Sequence, residues 1–153
     1  MSDSFEKIMD EFGPSIYRLA LSRTGDREKS ADIYQDTFLL LLEKEPVFRH
    51  KNQLRIWLMR TAVNLIKRVH SEKSTLPLDD ITLTHTDTLE FELYDTVSSL
   101  PETLRDAAMM FYIEDMSIKD ISKVLGVSVP AVKSRLSRAR KILRISFKED
   151  DYE

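Results

Sequence analysis

The sequence contains no cysteine, which excludes disulfide bonds, thiolate metal sites and thiol-based catalysis. It has only three glycines and five prolines, whereas an all-β fold needs such turn residues at short intervals. Apolar runs such as FLLLL at 38–42 are far too short to span a bilayer. The first residues show no basic start followed by an apolar stretch, so no signal peptide is expected. These absences predict a cytoplasmic protein without direct membrane insertion.

What the chain does have is the composition of a helix-rich globular protein. Hydrophobic residues make up 42% and charged residues 32% of its 153 residues, enough for one or two small domains. Apolar residues recur at helical spacing in three segments of the first half. Gly13-Pro14 interrupts the first segment, which predicts two helices or one kinked helix there. The predicted helical segments are 3–24, 28–45 and 53–70. Asp26 is the predicted cap of the second segment, whose predicted buried side consists of Ala31, Tyr34, Phe38, Leu41 and Leu42.

The middle of the chain lacks a sustained period and is rich in Ser, Thr and Asp, as linkers are. We expect at most one helical turn near its end. The helical pattern then returns, with Pro101 in a first turn and Ser98 or Ser99 as its cap. The predicted fold is all-α, two small helical domains joined by a flexible linker. Its boundaries are 1–72 for the first domain, 73–96 for the linker and 97–153 for the second domain.

Charge is distributed unevenly, although the net charge is only −3. Between Asp79 and Asp115, Arg105 is the only cation among ten acids, whereas Asp120 is the only acid between Lys119 and Lys148. A second basic stretch runs from Arg49 to Lys73. Two basic blocks separated by an acidic segment indicate two contacts with a polyanion, although each block alone is equally typical of a solvated helix face.

Residues 117–145, SIKDISKVLGVSVPAVKSRLSRARKILRI, have the pattern of a helix-turn-helix. Gly126 is placed to end a short first helix, Val127 to plug the gap between helices, and Ser128 to cap the second helix with Pro130 in its first turn. An α-helix fits the DNA major groove, where cations can meet guanine acceptors. A hairpin with a merely solvated basic face is the alternative. The buried stripe predicted for the second helix is Val132, Leu136, Ala139 and Leu143. Its predicted outward side chains are Ala131, Lys133, Ser134, Arg135, Ser137, Arg138 and Lys141.

Residues 100–144, from LPETLRDAAMM to SRLSRARKILR, resemble region four of bacterial RNA polymerase sigma factors, especially the extracytoplasmic-function (ECF) group. Residues 25–44, GDREKSADIYQDTFLLLLEK, resemble the core-binding helix of region two. Residues 53–71, QLRIWLMRTAVNLIKRVHS, resemble its promoter-melting helix. The resemblance implies a non-enzymatic initiation factor, without cofactor or metal, that binds the β′ clamp helices and β flap of core polymerase and directs it to promoter DNA. It also implies control by an anti-sigma factor.

The resemblance assigns roles to particular residues. Asp32, Gln35 and Asp36 match the face that docks on the clamp helices. A second group matches the element that reads and melts the minus-ten DNA, where an extruded base is held in a pocket: Arg49, His50, Lys51, Asn52, Arg60, Asn64, Lys67 and Arg68. A third group, on the second helix of the helix-turn-helix, is assigned to the minus-thirty-five element: Lys133, Ser134, Arg135, Ser137 and Arg138.

Three departures from the family pattern stand out. Arg68 occupies a position where many members have Asp, Ser122 replaces the usual Ala, and the IEDMS segment replaces a turn that more often contains glycine. Trp57 could stack on a base, but its place in the apolar stripe favours packing in the core.

Parts of the sequence are also compatible with two other classes of function. A free-standing helix-turn-helix regulator would usually dimerise on symmetric half-sites, and the sequence shows no sustained heptad seam for a dimer. A metal-dependent nuclease could use the carboxylates of Asp79, Asp80, Asp87 and Glu90. These acids fall in the predicted linker, and His50, His70 and His85 lack ligand spacing.

Overall fold

The computed structural model describes residues 2–69 and 88–147, and every regular element within them is helical. Their contacts divide into two compact units, one formed by the first three helices and the other by the remainder. The all-α class is therefore confirmed. The first unit contains α1 (Ser2–Thr24), α2 (Arg27–Lys44) and α3 (Lys51–Val69). The second contains α4 (Thr88–Ser98), α5 (Glu102–Ala108), a π-helical turn (Met109–Ile113), α6 (Ile118–Leu125) and α7 (Val129–Phe147).

Local sequence signals end α1 and begin α2. Gly25 has a φ of 65°, and its N–H donates to the Leu21 carbonyl at 2.9 Å. The Asp26 carboxylate accepts hydrogen bonds from the backbone N–H groups of Glu28 at 2.8 Å and Lys29 at 3.2 Å. Asp26 is therefore the N-cap that the sequence predicted. α2 ends at Glu45, whose N–H donates to the Leu41 carbonyl at 3.1 Å, just before Pro46.

Gly13 and Pro14 lie inside one continuous helix, so the predicted alternative of two separate helices is wrong. Gly13 is buried because the ring of Tyr34 from α2 packs directly on it. A Cβ at Gly13 would lie 2.8 Å from the Tyr34 hydroxyl oxygen and 3.0 Å from its Cε2. Burial, and then the charge of Asp10, raise the pKa of Tyr34. The glycine thus permits a close approach of two helices.

The core of the first unit comes from all three helices, as their apolar periodicity predicted. Leu42 was predicted to lie on the buried side of α2 and instead is half exposed, and Ala31 is exposed too. Four consecutive leucines cannot all point inward, because each residue turns by about 100° around the helix axis. The fully buried aliphatic side chains include Ile16 and Leu19 of α1, Ile33 of α2, and Leu58, Ala62 and Ile66 of α3.

The second unit differs from the sequence prediction at its start. α4 is an eleven-residue helix where the linker was expected to hold at most one turn, and its Tyr94 and Val97 are buried. Ser98 belongs to this helix, and Pro101 itself occupies the N-cap position of α5 without a side-chain hydrogen bond. The predicted serine caps were therefore wrong. α4 was missed because its short apolar pattern follows a polar segment, and its stability depends on packing against the rest of the unit.

The predicted helix-turn-helix is present. The Ser117 hydroxyl accepts from the Asp120 N–H at 3.1 Å and caps α6. Gly126 ends α6 with a φ of 70°, and Ser128 caps α7 by accepting from the Ala131 N–H at 3.2 Å. The predicted buried stripe of α7 is confirmed for Val132, Leu136, Ala139 and Leu143; on α6, Ile121 and Val124 are buried, whereas Ile118 and Leu125 are half-buried.

Candidate nucleic-acid and polymerase interfaces

The turn before α7 is held by three hydrogen bonds that all involve Ser122. Its carbonyl accepts the N–H groups of Gly126 at 2.9 Å and Val127 at 3.3 Å. Its hydroxyl donates to the Val127 carbonyl at 2.6 Å. The serine that replaces the usual alanine therefore adds a side-chain link across the turn. This link was not predicted, because hydroxyl contacts five residues away depend on the turn geometry.

The outer face of α7 carries the residues predicted to meet duplex DNA. Lys133, Ser134, Ser137 and Arg138 are exposed, and Arg135 is half-buried. The Arg138 guanidinium donates to the Ser134 hydroxyl at 3.1 Å, one turn earlier on the same face. A planar guanidinium with five donors suits bidentate recognition of guanine or phosphate.

The loop between α2 and α3 is anchored to α3 by contacts at Phe48 and at the backbone of Arg49. The rings of Phe48 and Trp57 meet edge to face, with centroids 6.2 Å apart, and both side chains are half-buried. The backbone N–H of Arg49 donates to the Gln53 side-chain oxygen at 2.8 Å. Trp57 thus packs against the loop rather than deep in the core. Beside it, Val47 is 93% exposed.

The predicted minus-ten residues fall into two adjoining groups on the first unit. Arg49, His50, Lys51 and Asn52 are exposed in the loop and the first turn of α3. Arg60, Asn64, Lys67 and Arg68 are exposed along α3. Arg60 precedes Asn64 by four residues, and Lys67 and Arg68 follow it by three and four, which places all of them on one side of the helix. The arrangement is a cationic strip with one exposed amide in the middle, suited to an anionic strand and an extruded base.

Lys51 already has an anionic partner in this structure. Its ammonium nitrogen lies 3.3 Å from both carboxylate oxygens of Glu11 on α1. The Lys51 side chain is 75% exposed and that of Glu11 is 47% exposed. The sequence did not predict this pair, because its partners are forty residues apart.

The outer face of α2 combines carboxylates with apolar surface. Asp32, Gln35 and Asp36 are exposed, as a docking face requires. Leu39 is 58% exposed and Leu42 is 50% exposed. Both were missed as candidates, although their spacing from Gln35 places them on the same side of the helix. Such a mixture of anchoring apolar groups and carboxylates is typical of a protein–protein interface.

The structure offers no support for a metal-dependent nuclease. Asp79, Asp80 and Asp87 lie outside the described residues, as do His70 and His85. Within the part of the chain that is described, no three His, Asp or Glu side chains come close enough to hold a metal ion. None of the helices in residues 2–69 and 88–147 has the length and apolarity needed to span a membrane.

Two family models match this chain and together cover most of it. The model described as Sigma-70 region 2 matches residues 8–75, and that described as Sigma-70, region 4 matches residues 90–143. The second match begins within α4, so that helix lies inside the sequence shared with region four.

Curated relatives extend the likeness over nearly the whole chain. ECF RNA polymerase sigma factor SigW of Bacillus subtilis is 27% identical, over 93% of this chain and 88% of its own length. RNA polymerase sigma factor SigV of the same organism is 26% identical, over 89% of this chain and 86% of its own length.

Solved structures share the fold at lower identity. CnrH, in complex with the cytosolic domain of CnrY, has a TM-score of 0.73 at 23% identity, covering 99% of this chain and 92% of the other. The sigma factor RpoE of Bartonella quintana, in complex with the anti-sigma factor NepR, has a TM-score of 0.74 at 21% identity, covering 96% and 98%.

Proposed function

The chain belongs to the sigma-70 family, in its ECF group, and directs RNA polymerase to promoters; on that premise we propose how its residues divide this work. The observation that carries the proposal is that the assigned residues and the core residues lie on different faces of the helices. Every side chain assigned to a partner is exposed or half-buried, whereas the apolar side chains between them form the cores of the two units.

The outer face of α2 docks on the β′ clamp helices of core polymerase. Asp32, Gln35 and Asp36 provide acceptors for cations, which chiefly set register and specificity. Leu39 and Leu42 supply the apolar area, which is costly to leave in water and is covered when the complex forms. The second unit contacts the β flap.

The loop at 45–50 and the exposed side of α3 bind the minus-ten DNA. The cations at Arg49, Arg60, Lys67 and Arg68 attract the displaced strand. Asn64 lies among them and can hydrogen-bond the edge of an extruded base. Because Phe48 and Trp57 pack together, the backbone of the loop is held in place while its basic side chains extend toward the DNA.

α7 enters the major groove of the minus-thirty-five duplex. Arg138 reads a base edge, and Lys133, Ser134, Arg135 and Ser137 complete the contacts of its outer face. Contacts to phosphates release counterions and make the affinity salt-dependent.

The protein acts in the cytoplasm, without catalysing a reaction, and is held inactive by an anti-sigma factor. Support comes from the solved complex of sigma factor RpoE with anti-sigma factor NepR, which shares this fold.

The proposal is tested by run-off transcription with purified core polymerase on a promoter library. We expect transcripts from sites at which core alone does not initiate. No new start sites would refute the initiation role of these surfaces. A gel-shift with and without core separates the alternative: tight promoter binding by the chain alone, unchanged by core, would indicate a free-standing regulator.

The docking face is tested by holoenzyme assembly. Asp36→Arg should weaken core binding because it reverses a charge on the face of α2. Glu6→Arg is the matched control, since Glu6 is an exposed acid on α1. Equal loss of core binding in both variants would show that general charge, and not this face, controls assembly.

A further inference from the structure

The ion pair between Lys51 and Glu11 places a carboxylate inside the basic loop region. Lys51 is the first residue of α3, and the first turn of that helix contains no acid of its own. The negative charge comes instead from another helix, with both Glu11 oxygens 3.3 Å from the ammonium nitrogen. The Glu11 carboxylate oxygens thus lie beside the Lys51 ammonium group, where the oxygens of a bound phosphate would lie.

The geometry of the pair favours exchange over permanent tethering. A charge-assisted N–H···O bond is commonly about 2.7–2.9 Å long, so two contacts of 3.3 Å are loose. Both side chains are largely open to solvent, which screens their attraction. Lys51 can therefore turn from Glu11 to another anion at small cost.

We propose that Glu11 competes with the DNA backbone for Lys51 and so weakens the grip of the minus-ten strip on the melted strand. The inference rests on the proposed function of the loop and α3. When a phosphate takes Lys51, the Glu11 carboxylate stays close and repels it. The penalty falls on every sequence alike, so Glu11 lowers the occupancy of weakly binding strands without changing the ratio of affinities between sequences.

The alternative is that Glu11 and Lys51 tie α1 to the start of α3 and hold the loop in its binding shape. The two interpretations predict opposite signs. If Glu11 competes, its neutralisation strengthens DNA binding; if Glu11 positions the loop, its neutralisation weakens DNA binding.

The experiment measures binding of holoenzyme to fork-junction DNA that carries a promoter selected by run-off transcription. Glu11→Gln keeps the shape of the side chain and removes its charge. We expect affinity to rise about two- to fivefold, the range set by an exposed ion pair. Because Lys51 then neutralises a phosphate fully, the slope of log affinity against log salt should steepen by about 0.7 for a single strand.

A double-mutant cycle assigns the effect to the pair. In the Lys51→Met background, Glu11→Gln should raise affinity and steepen the salt slope much less, because the cation for which the anions compete is gone and only the direct repulsion between Glu11 and nearby phosphates remains. Glu6→Gln removes the same charge from the same helix and controls for net charge. Its effect should be clearly smaller than that of Glu11→Gln.

Weaker or unchanged binding by Glu11→Gln would overturn the competition, as would an equal gain in the Lys51→Met background. Failure of the proposed function is recognised separately with Asn64→Ala. If Asn64→Ala impairs promoter opening while Glu11→Gln leaves binding unchanged, the strip binds DNA but Glu11 does not compete. If wild-type holoenzyme does not discriminate the selected promoter at all, the proposed function itself is wrong.

Discussion

The two cationic surfaces of this protein are held in place in different ways. The surface of the second unit lies on a single helix, α7, whose start is fixed by Gly126, Ser122 and Ser128. The surface of the first unit spans a loop and a helix, and its Lys51 is loosely paired with Glu11. Reading a duplex needs donors at fixed spacing along a groove, whereas capturing a melted strand tolerates cations that change partners. The difference is consistent with the proposed division, in which α7 reads the duplex and the loop with α3 captures the melted strand.

The comparison between the two surfaces is tested most strongly by asking whether the outer face of α7 recognises the DNA sequence. Arg138→Ala should weaken binding of the upstream duplex about 5- to 150-fold, which corresponds to the value of about 1–3 kcal/mol for a good bidentate base contact. Core binding should stay intact, because the docking face on α2 lies in the other unit and Arg138 is assigned to DNA and not to the β flap. Electrophoretic mobility shift with holoenzyme and with base-substituted duplexes checks both points.

Arg140→Ala is the matched control for Arg138→Ala, since Arg140 is also exposed on α7 but is not among the assigned residues. It should weaken binding to all duplexes alike, as loss of a phosphate contact does. Loss of core binding by Arg138→Ala, or uniform weakening by both variants, would contradict sequence readout by Arg138.

Gly13→Ala tests how closely the helices of the first unit approach each other. The added Cβ would lie 2.8 Å from the Tyr34 hydroxyl oxygen, so α1 and α2 must separate or Tyr34 must move. We expect a loss of about 1–2 kcal/mol in the free energy of unfolding, since overpacking outweighs the better helix propensity of alanine. Trp57 is the sole tryptophan and lies in this unit, so its fluorescence during urea unfolding reports the change.

Tyr34→Phe supplies the control, because it removes the atom nearest to the new Cβ. The double variant should recover part of the stability lost in Gly13→Ala. If Gly13→Ala leaves the free energy of unfolding unchanged, the close packing of α1 on α2 does not require a glycine at this position. If hydrogen exchange in α6 changes equally, the two units do not unfold separately.

Ser122→Ala tests whether the turn before α7 is fixed by its side-chain link. Loss of the 2.6 Å hydrogen bond to the Val127 carbonyl should cost about 1 kcal/mol of stability in the second unit. Hydrogen exchange of the α6 and α7 amides measures this cost. Ser134→Ala is the control, since the Ser134 hydroxyl accepts a hydrogen bond from Arg138 on the exposed face of α7 and its loss should leave exchange unchanged. Faster exchange in both variants would contradict a specific role for Ser122.

Much of this fold follows from local pattern, and much of the candidate site from family resemblance. The cap at Asp26, the turn at Gly126 and the buried stripe of α7 were predicted because each depends on residues within one or two turns. The packing of Tyr34 on Gly13 and the pairing of Lys51 with Glu11 were not, because they join residues far apart in sequence. Likewise, the exposure of Leu39 and Leu42 depends on how α2 is rotated against its neighbours, which apolar periodicity alone does not determine.

The smallest expected effects come from relieving the same kind of backbone strain in each of the two units. Glu45 has a φ of 43° and Asp115 a φ of 62°, in the left-handed region where side chains other than Asn and Asp fit poorly. Glu45→Gly should stabilise the first unit by about 0.5–1 kcal/mol, and Asp115→Gly should stabilise the second by only a few tenths (about 0.3 kcal/mol), because aspartate tolerates this conformation better and glycine loses more entropy on folding. Trp57 fluorescence follows the first change and hydrogen exchange in α6 the second. A larger gain at Asp115 than at Glu45 would mean that the turn replacing the usual glycine is the more strained of the two, and that the first unit holds its loop without comparable backbone cost.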